Sequence, residues 1–369
     1  MALSKVDPNF LNVSQVGGRR NLIINGAMQI AQRGTSETGV TGDSYGADRF
    51  VLGGSSNLAV YTVENVVDAP ANTGLKNSIK YTCTTGDTPS STYYKETKHV
   101  IESGDCDVME YGTPTAKTTT LSFWVKSNVT GTYSLYAYNN VASPTLMYSL
   151  NYTINSAGTW ERKVVTFPPD TANPFSTSPN GSGIRFYWPI FAGPGYSSGT
   201  SSQARGASWE TVTNANLMGG QTANIASVND YWQMTGVQFE IGDIDTPFEH
   251  RSYGEELQLC KRYYQTYGGG DSYEHLPFYV LGNGTVANFN WGLPVEMRTV
   301  PSLSTSGTWS IQGPYGGSVY TVGSFALANT STKTIRGDAQ SLSGSIGTNT
   351  ARIFALNTTA VRFNLSAEL

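Results

Sequence analysis

Apolar and polar residues alternate in short runs through most of the chain from about 46 to 250, with turn residues between the runs. The clearest are SIKYTCT (78–84), TLSFWVKS (120–127), TYSLYAY (132–138), WERKVVTF (160–167) and IRFYWPIF (184–191). A period of two puts alternate side chains on opposite faces of a strand, and many such runs at short spacing predict a β-sandwich. Val165 and Phe167 share one face of their run. In IRFYWPIF, Ile184, Phe186, Trp188 and Ile190 face one way while Tyr187 and Phe191 face the other, the pattern of a strand that is central or covered. Pro189 has no N–H to donate, so a bend or an edge position is expected there. From about 270 a second β domain follows, with strands near FYVLGNG (278–284), TVANFNWG (285–292), SVYTVGSFAL (318–327) and ARIFALN (351–357).

Between these regions the period changes. Trp232 and Met234 share one parity and Val237, Phe239 and Ile241 the other, with a slip at Thr235-Gly236 that reads as a β-bulge. Beyond Thr246-Pro247, Ser252 and Glu255 fit a capping box, acids fall in the first turn, and Lys261 and Arg262 fall near the end, which complements a helix dipole. Leu257, Cys260 and Tyr264 recur at helical spacing and Gly268-Gly269-Gly270 stops the run, so a helix is expected over about 253–266. Residues 1–45 carry apolar content only over 21–31 and read as an arm that needs a partner to order it. The expected organisation is an N-terminal docking arm (1–45), a β-sandwich (46–250), a linking helix (251–269) and a C-terminal β domain (270–369). A jelly roll resembling the sandwiches of carbohydrate-binding modules is the preferred topology for 46–250.

Composition narrows the classes of function. Charged residues make up 14% of the chain, against about 25% in an ordinary soluble domain, so the surface must be largely hydroxyl and amide. A formal net charge of −4 gives no electrostatic footprint for nucleic acid. No apolar run approaches the ~20 residues of a membrane span, and MALSKVDPNF lacks the regions of a signal peptide, so synthesis in a cytoplasm without membrane insertion is expected. Cys83, Cys106 and Cys260 form no CxxC pair and their odd number argues against a disulfide framework.

Two separated stretches resemble a family of bacteriophage virion proteins, mostly described as tail-fibre or appendage components. One is TGVQFEIGD followed by TPFEHRSYGEEL and the RYY of 262–264; the other is NLIINGAMQIAQRGT (21–35) followed by Tyr45 and Asp48-Arg49-Phe50. PVEMRTVP (294–301) also looks like the strand that opens the last domain of these proteins. The resemblance implies a virion structural protein, a homotrimer used for host attachment, with Asn21, Ile23, Asn25, Met28 and Arg33 docking on another virion subunit and 270–369 a candidate recognition tip. A capsid or neck decoration protein with no ligand is the alternative, and a polysaccharide-degrading appendage enzyme a remote one.

Chemistry is thinly signalled. Gly195-Tyr196-Ser197-Ser198-Gly199 matches GxSxG, but no helical periodicity follows it and only His99, His250 and His275 are available as a base. Glu102, Asp105, Asp107 and Glu110 offer carboxylates for a glycosidase pair but read as a solvated loop, with a structural calcium site next. No catalytic residue, no cofactor and no metal ligand set is implied. Binding is better supported: aromatics are 12% of residues, with 22 tyrosines, and aromatic rings beside polar groups stack on sugar faces. The candidate ligand contacts are Tyr196, Trp209, Tyr273 and Tyr315, with a host-surface glycan as the partner.

Overall fold

The computed structural model describes residues 19–55, 59–139, 144–268, 275–312, 318–328, 330–346, 351–356 and 361–369, with 275–283 and 351–356 described by backbone alone. The chain divides into two compact units, 1–253 and 254–369. Both are built mainly of antiparallel strands.

The first unit opens with strands β1 (Ser36–Val40), β2 (Ser44–Ala47), β3 (Phe50–Gly54), β4 (Val60–Val66) and β5 (Ser78–Thr85). It continues with β6 (Tyr94–Glu102), β7 (Thr119–Ser127), β8 (Gly131–Asn139) and β9 (Leu146–Ile154), then β10 (Glu161–Phe167), β11 (Ser182–Ala192), the short β12 (Glu210–Thr211) and β13 (Tyr231–Ile241). They form a six-stranded sheet in the order β1-β4-β5-β13-β7-β10 and a seven-stranded sheet in the order β12-β9-β8-β11-β6-β3-β2. From β5 onward the chain steps repeatedly from one sheet to the other, which is jelly-roll connectivity. The layer between the sheets takes the inward parity of each strand. On β11 this is Ile184, Phe186, Trp188 and Ile190, all fully buried, with the rings of Phe186 and Trp188 packed on Phe123, Phe167 and Phe239 at separations of 4.7–6.0 Å.

The patterning of 78–191 is borne out strand by strand. β11 is central, and its register shifts between Pro189 and Phe191, where the missing N–H breaks the ladder. The slip in β13 is a register shift between Thr235 and Gln238. Gly236 sits there at φ 61°, a backbone region that L side chains avoid.

The N-terminal arm needs correction. Asn21, Ile23, Asn25 and Met28, expected to dock on another subunit, are buried in the first unit itself, together with Leu22, Ile24 and Ile30. The backbone follows β13, with Leu22 N–H donating to Phe239 O (2.9 Å) and Val237 N–H to Gly26 O (3.0 Å). The Asn21 amide donates to Val237 O and its carbonyl accepts from Ile23 and Phe239. Asn25, at φ 62°, does the same for Ile30 and Asp48. From the other side Glu249 accepts from the backbone N–H groups of Arg20 and Asn21, and Arg251 donates to the carbonyls of Asn21 and Ile23. Arg33 lies over the Tyr45 ring, 3.8 Å from its centre, and 3.8 Å from the Asp48 carboxylate. The stretches 21–33 and 237–251 are therefore one structural clasp, whose burial the sequence hides because each half is short and supplies its partner from over 200 residues away.

The second unit begins in the helix Tyr253–Lys261. The helix is shorter than expected because Tyr264–Gly268 is a strand, paired with Arg362–Ser366; long-range pairing overrides local helical spacing. That pair and Ser302–Ser306 make a three-stranded sheet, and a seven-stranded sheet holds His275–Asn283 and Val286–Gly292 at its middle. Phe289, Trp309, Ile311, Ile335, Phe363 and Leu365 are its buried centre. The run 318–327 divides into Val319–Thr321 and Ser324–Leu327. PVEMRTVP is not a strand: it runs as bends with Met297 buried, and the Arg298 guanidinium donates to the carbonyls of Ala367 and Glu368.

Candidate functional site

The outward parity of the seven-stranded sheet brings together residues that are far apart in sequence. Register fixes two rows across it. In one, Tyr136 of β8 lies opposite Tyr187 of β11, which lies opposite Lys98 of β6, which lies opposite Val51 of β3. In the next, Pro189 faces Glu96 and Glu96 faces Gly53. Tyr138 and Tyr94 flank the rows. The segment after β11 supplies a wall: Tyr196 from the turn of helix Pro194–Ser197, and Leu217 and Met218 near helix Asn214–Leu217, held by Met218 N–H donating to Tyr196 O at 3.0 Å. Asp43 closes the opposite rim over Gly53. A Cβ at 53 would lie 2.6 Å from the Asp43 carboxylate, so a side chain there would push that carboxylate aside.

The result is a cleft of about 270 Å³ lined by Asp43, Glu96, Lys98 and the rings of Tyr94, Tyr136, Tyr138, Tyr187 and Tyr196. The rings form two groups. Tyr136 stacks on Tyr187 at 4.7 Å and 12°, with Tyr138 at 5.1 and 5.3 Å from them; Tyr94 meets Tyr196 edge to face at 4.8 Å. Tyr136 and Tyr187 are buried, while Tyr94, Tyr138 and Tyr196 are half-exposed and offer ring surface to the cleft.

Glu96 is the chemically distinctive group. Its carboxyl is buried and accepts a 2.5 Å hydrogen bond from the Tyr136 hydroxyl. Burial pushes its pKa up to about 8, against the smaller opposing effects of the Tyr136 hydrogen bond and the Lys98 charge. Near neutral pH it is largely the neutral acid, able to donate as well as accept. Burial first, and then the Glu96 charge, also push the Tyr94 hydroxyl up to about 12. The cleft thus presents neutral hydroxyl and carboxyl groups beside aromatic faces, with Lys98 and Asp43 of opposite sign at its edges.

Of the four expected ligand contacts, Tyr196 is in this cleft. Trp209 is not: it is half-buried, donates to Pro168 O at 2.9 Å and packs against Tyr111, Tyr148 and Phe167, filling a structural corner. Tyr273 and Tyr315 lie outside the described residues. The GxSxG stretch is part of the cleft wall, where the Ser197 hydroxyl donates to Gly193 O. The acidic stretch does not form one site: Glu102 is buried at the end of β6, while Glu110 pairs with Lys117 at 2.6 Å. Among the described residues no group of three or more His, Cys, Asp or Glu side chains is placed to hold a metal ion. No helix among them is long and apolar enough to cross a membrane.

The chain matches no family model and no curated protein. It is similar to several solved structures at low identity. One is the enzymatically active domain of bacteriophage CBA120 tailspike protein 4, at 12% identity and a TM-score of 0.33, covering 60% of this chain and 21% of the tailspike chain. Another is a family 11 carbohydrate-binding module of a cellulosomal cellulase from Clostridium thermocellum, at 10% identity and 0.28, covering 56% and 98%. A third is a sugar-binding protein of Bacteroides thetaiotaomicron, so named without proof of its ligand, at 11% and 0.32, covering 60% and 100%.

Proposed function

We propose that the first unit binds a saccharide in the tyrosine cleft, within a phage appendage subunit that attaches the particle to its host. The observation that carries the saccharide part is the convergence of five tyrosines on one buried, proton-holding carboxyl. Half-exposed rings supply stacking surface for the C–H face of a pyranose, and Glu96, Lys98 and Asp43 supply donors and acceptors for its hydroxyls. The virion part rests on the sequence likeness of 21–35 and 235–264. A homotrimer belongs to the same proposal: light scattering behind a sizing column is expected to give three times the 39.7 kDa chain mass, and a stable monomer counts against it. For the saccharide, an array of printed bacterial and plant glycans is probed with the full chain and with Tyr138→Ala and Tyr196→Ala. At least one bound glycan is expected to lose about 10-fold or more in signal with each variant; no bound glycan, or none affected, contradicts the proposal.

A further inference from the structure

A second groove lies in the same unit on the outward face of the other sheet. It measures about 480 Å³ and is lined by Trp124, Leu75, Arg162, Asp245, Phe248 and His250, among others. Its floor is set by register, since Trp124 of β7 lies directly opposite Arg162 of β10. Its walls are the loops around 70–75 and 245–250, joined where the His250 Nε2 meets Thr73 O at 3.0 Å, with the Phe248 ring edge-on to His250 at 5.0 Å. The β13 bulge fixes the indole: a Cβ at Gly236 would lie 3.0 Å from Trp124 Cδ1 and 2.7 Å from Leu75 Cδ1, so both close against bare backbone.

Trp124 differs from the other tryptophans. Trp188, Trp232, Trp291 and Trp309 are buried; Trp160 donates to Asp68 and Trp209 to Pro168. Trp124 is half-buried like Trp160 and Trp209, but among the described residues its indole N–H has no hydrogen-bond partner. A half-open indole with an unspent donor is placed for a ligand that offers both an apolar face and a hydroxyl. Beside it the Arg162 guanidinium and Asp245 carboxylate are ion-paired and cancel each other's charge. The groove therefore has no net attraction for a phosphate or an ammonium group, yet keeps donors and acceptors at a fixed spacing.

We propose that this groove is a second saccharide site, in which Trp124 stacks on a neutral pyranose ring and the Arg162–Asp245 pair hydrogen-bonds its hydroxyls. It lies on the opposite sheet from the tyrosine cleft, so the two sites stand or fall separately. Two sites on one unit let a single chain engage two strands, or two points, of a surface polysaccharide, with the gain in avidity that linkage brings.

The test is the same glycan array, probed with the full chain carrying Trp124→Ala, Arg162→Ala or Tyr138→Ala, each checked for a cooperative thermal transition. Trp124→Ala and Arg162→Ala are expected each to weaken, at least about 10-fold, binding to glycans that Tyr138→Ala still holds. If Trp124→Ala fails to fold, Arg162→Ala decides alone, because Arg162 is exposed. If Tyr138→Ala is the only one of these variants that loses any glycan, the groove is overturned and the cleft stands. If only Trp124→Ala and Arg162→Ala lose glycans, the cleft is overturned and the groove stands, and an array with no bound glycan overturns both.

Discussion

The two outward faces of the first unit make a natural contrast. On the seven-stranded sheet, five tyrosines surround a buried carboxyl that keeps its proton near neutrality. In the groove of the six-stranded sheet Trp124 stands beside the Arg162–Asp245 ion pair. Both faces follow from the same alternation that fills the interior, because any strand whose inward residues are large and apolar is free to spend its outward residues on something else. β11 carries the point within one strand: Trp188 is locked inside, and its neighbour Tyr187 is turned to the cleft. What separates the faces is solvent. The cleft is enclosed enough to change the protonation of Glu96, whereas the groove leaves Arg162 and Asp245 in contact with water.

The largest expected effect separates inside from outside on the seven-stranded sheet. Trp188→Ala should cost about 3–5 kcal/mol, the price of a cavity in a packed interior. Tyr138→Ala, half-buried beside Tyr136 and Tyr187, should cost less, about 1–2 kcal/mol. Urea unfolding measures both, and equal losses would mean that the tyrosines are interior packing and not a ligand surface.

The next effect separates the two outward faces by pH. The carboxyl of Glu96 titrates near 8 when folded and near 4.5 when exposed, so between these values the folded state binds the extra proton. Its contribution to stability is complete below about pH 4.5 and is lost as pH rises through about 8, to a total on the order of a few kcal/mol. Melting temperature should therefore fall between pH 5 and pH 8, and Glu96→Gln should flatten that slope. A slope unchanged by Glu96→Gln would place its source elsewhere.

The smallest effect belongs to the groove. Its ion pair is solvent-exposed, so Arg162→Ala should change stability by no more than about 1 kcal/mol, and less at high salt. A larger loss by urea unfolding would make the pair structural.

The sheets were legible in the sequence wherever alternation was clean, and the β13 bulge was legible because a glycine marked a change of parity. Three features were not. The burial of 21–33 depends on carbonyls and amides of β13 and on Glu249 and Arg251, which no local pattern announces. Tyr264 satisfies helical spacing and strand pairing equally well, and the partner strand at 362–366 decides between them. The cleft is the clearest case. The pattern put Tyr187 on the face opposite Phe186 and Trp188, and Tyr136 and Tyr138 share a parity in TYSLYAY. Only the register of β8, β11, β6 and β3 sets those residues beside Glu96. Of the two described candidates, Tyr196 enters the wall from the turn of helix Pro194–Ser197, and Trp209 is packing. The parity of tyrosines on neighbouring strands was the better signal.

The central claim is that the tyrosine cleft holds a saccharide, and calorimetric titration of the tightest glycan on the array that Trp124→Ala still holds tests it most directly. With the full chain at pH 6, Tyr138→Ala and Tyr196→Ala should each raise Kd by at least about 10-fold while the melting temperature stays near that of the parent. A Kd unchanged in both variants would contradict the claim.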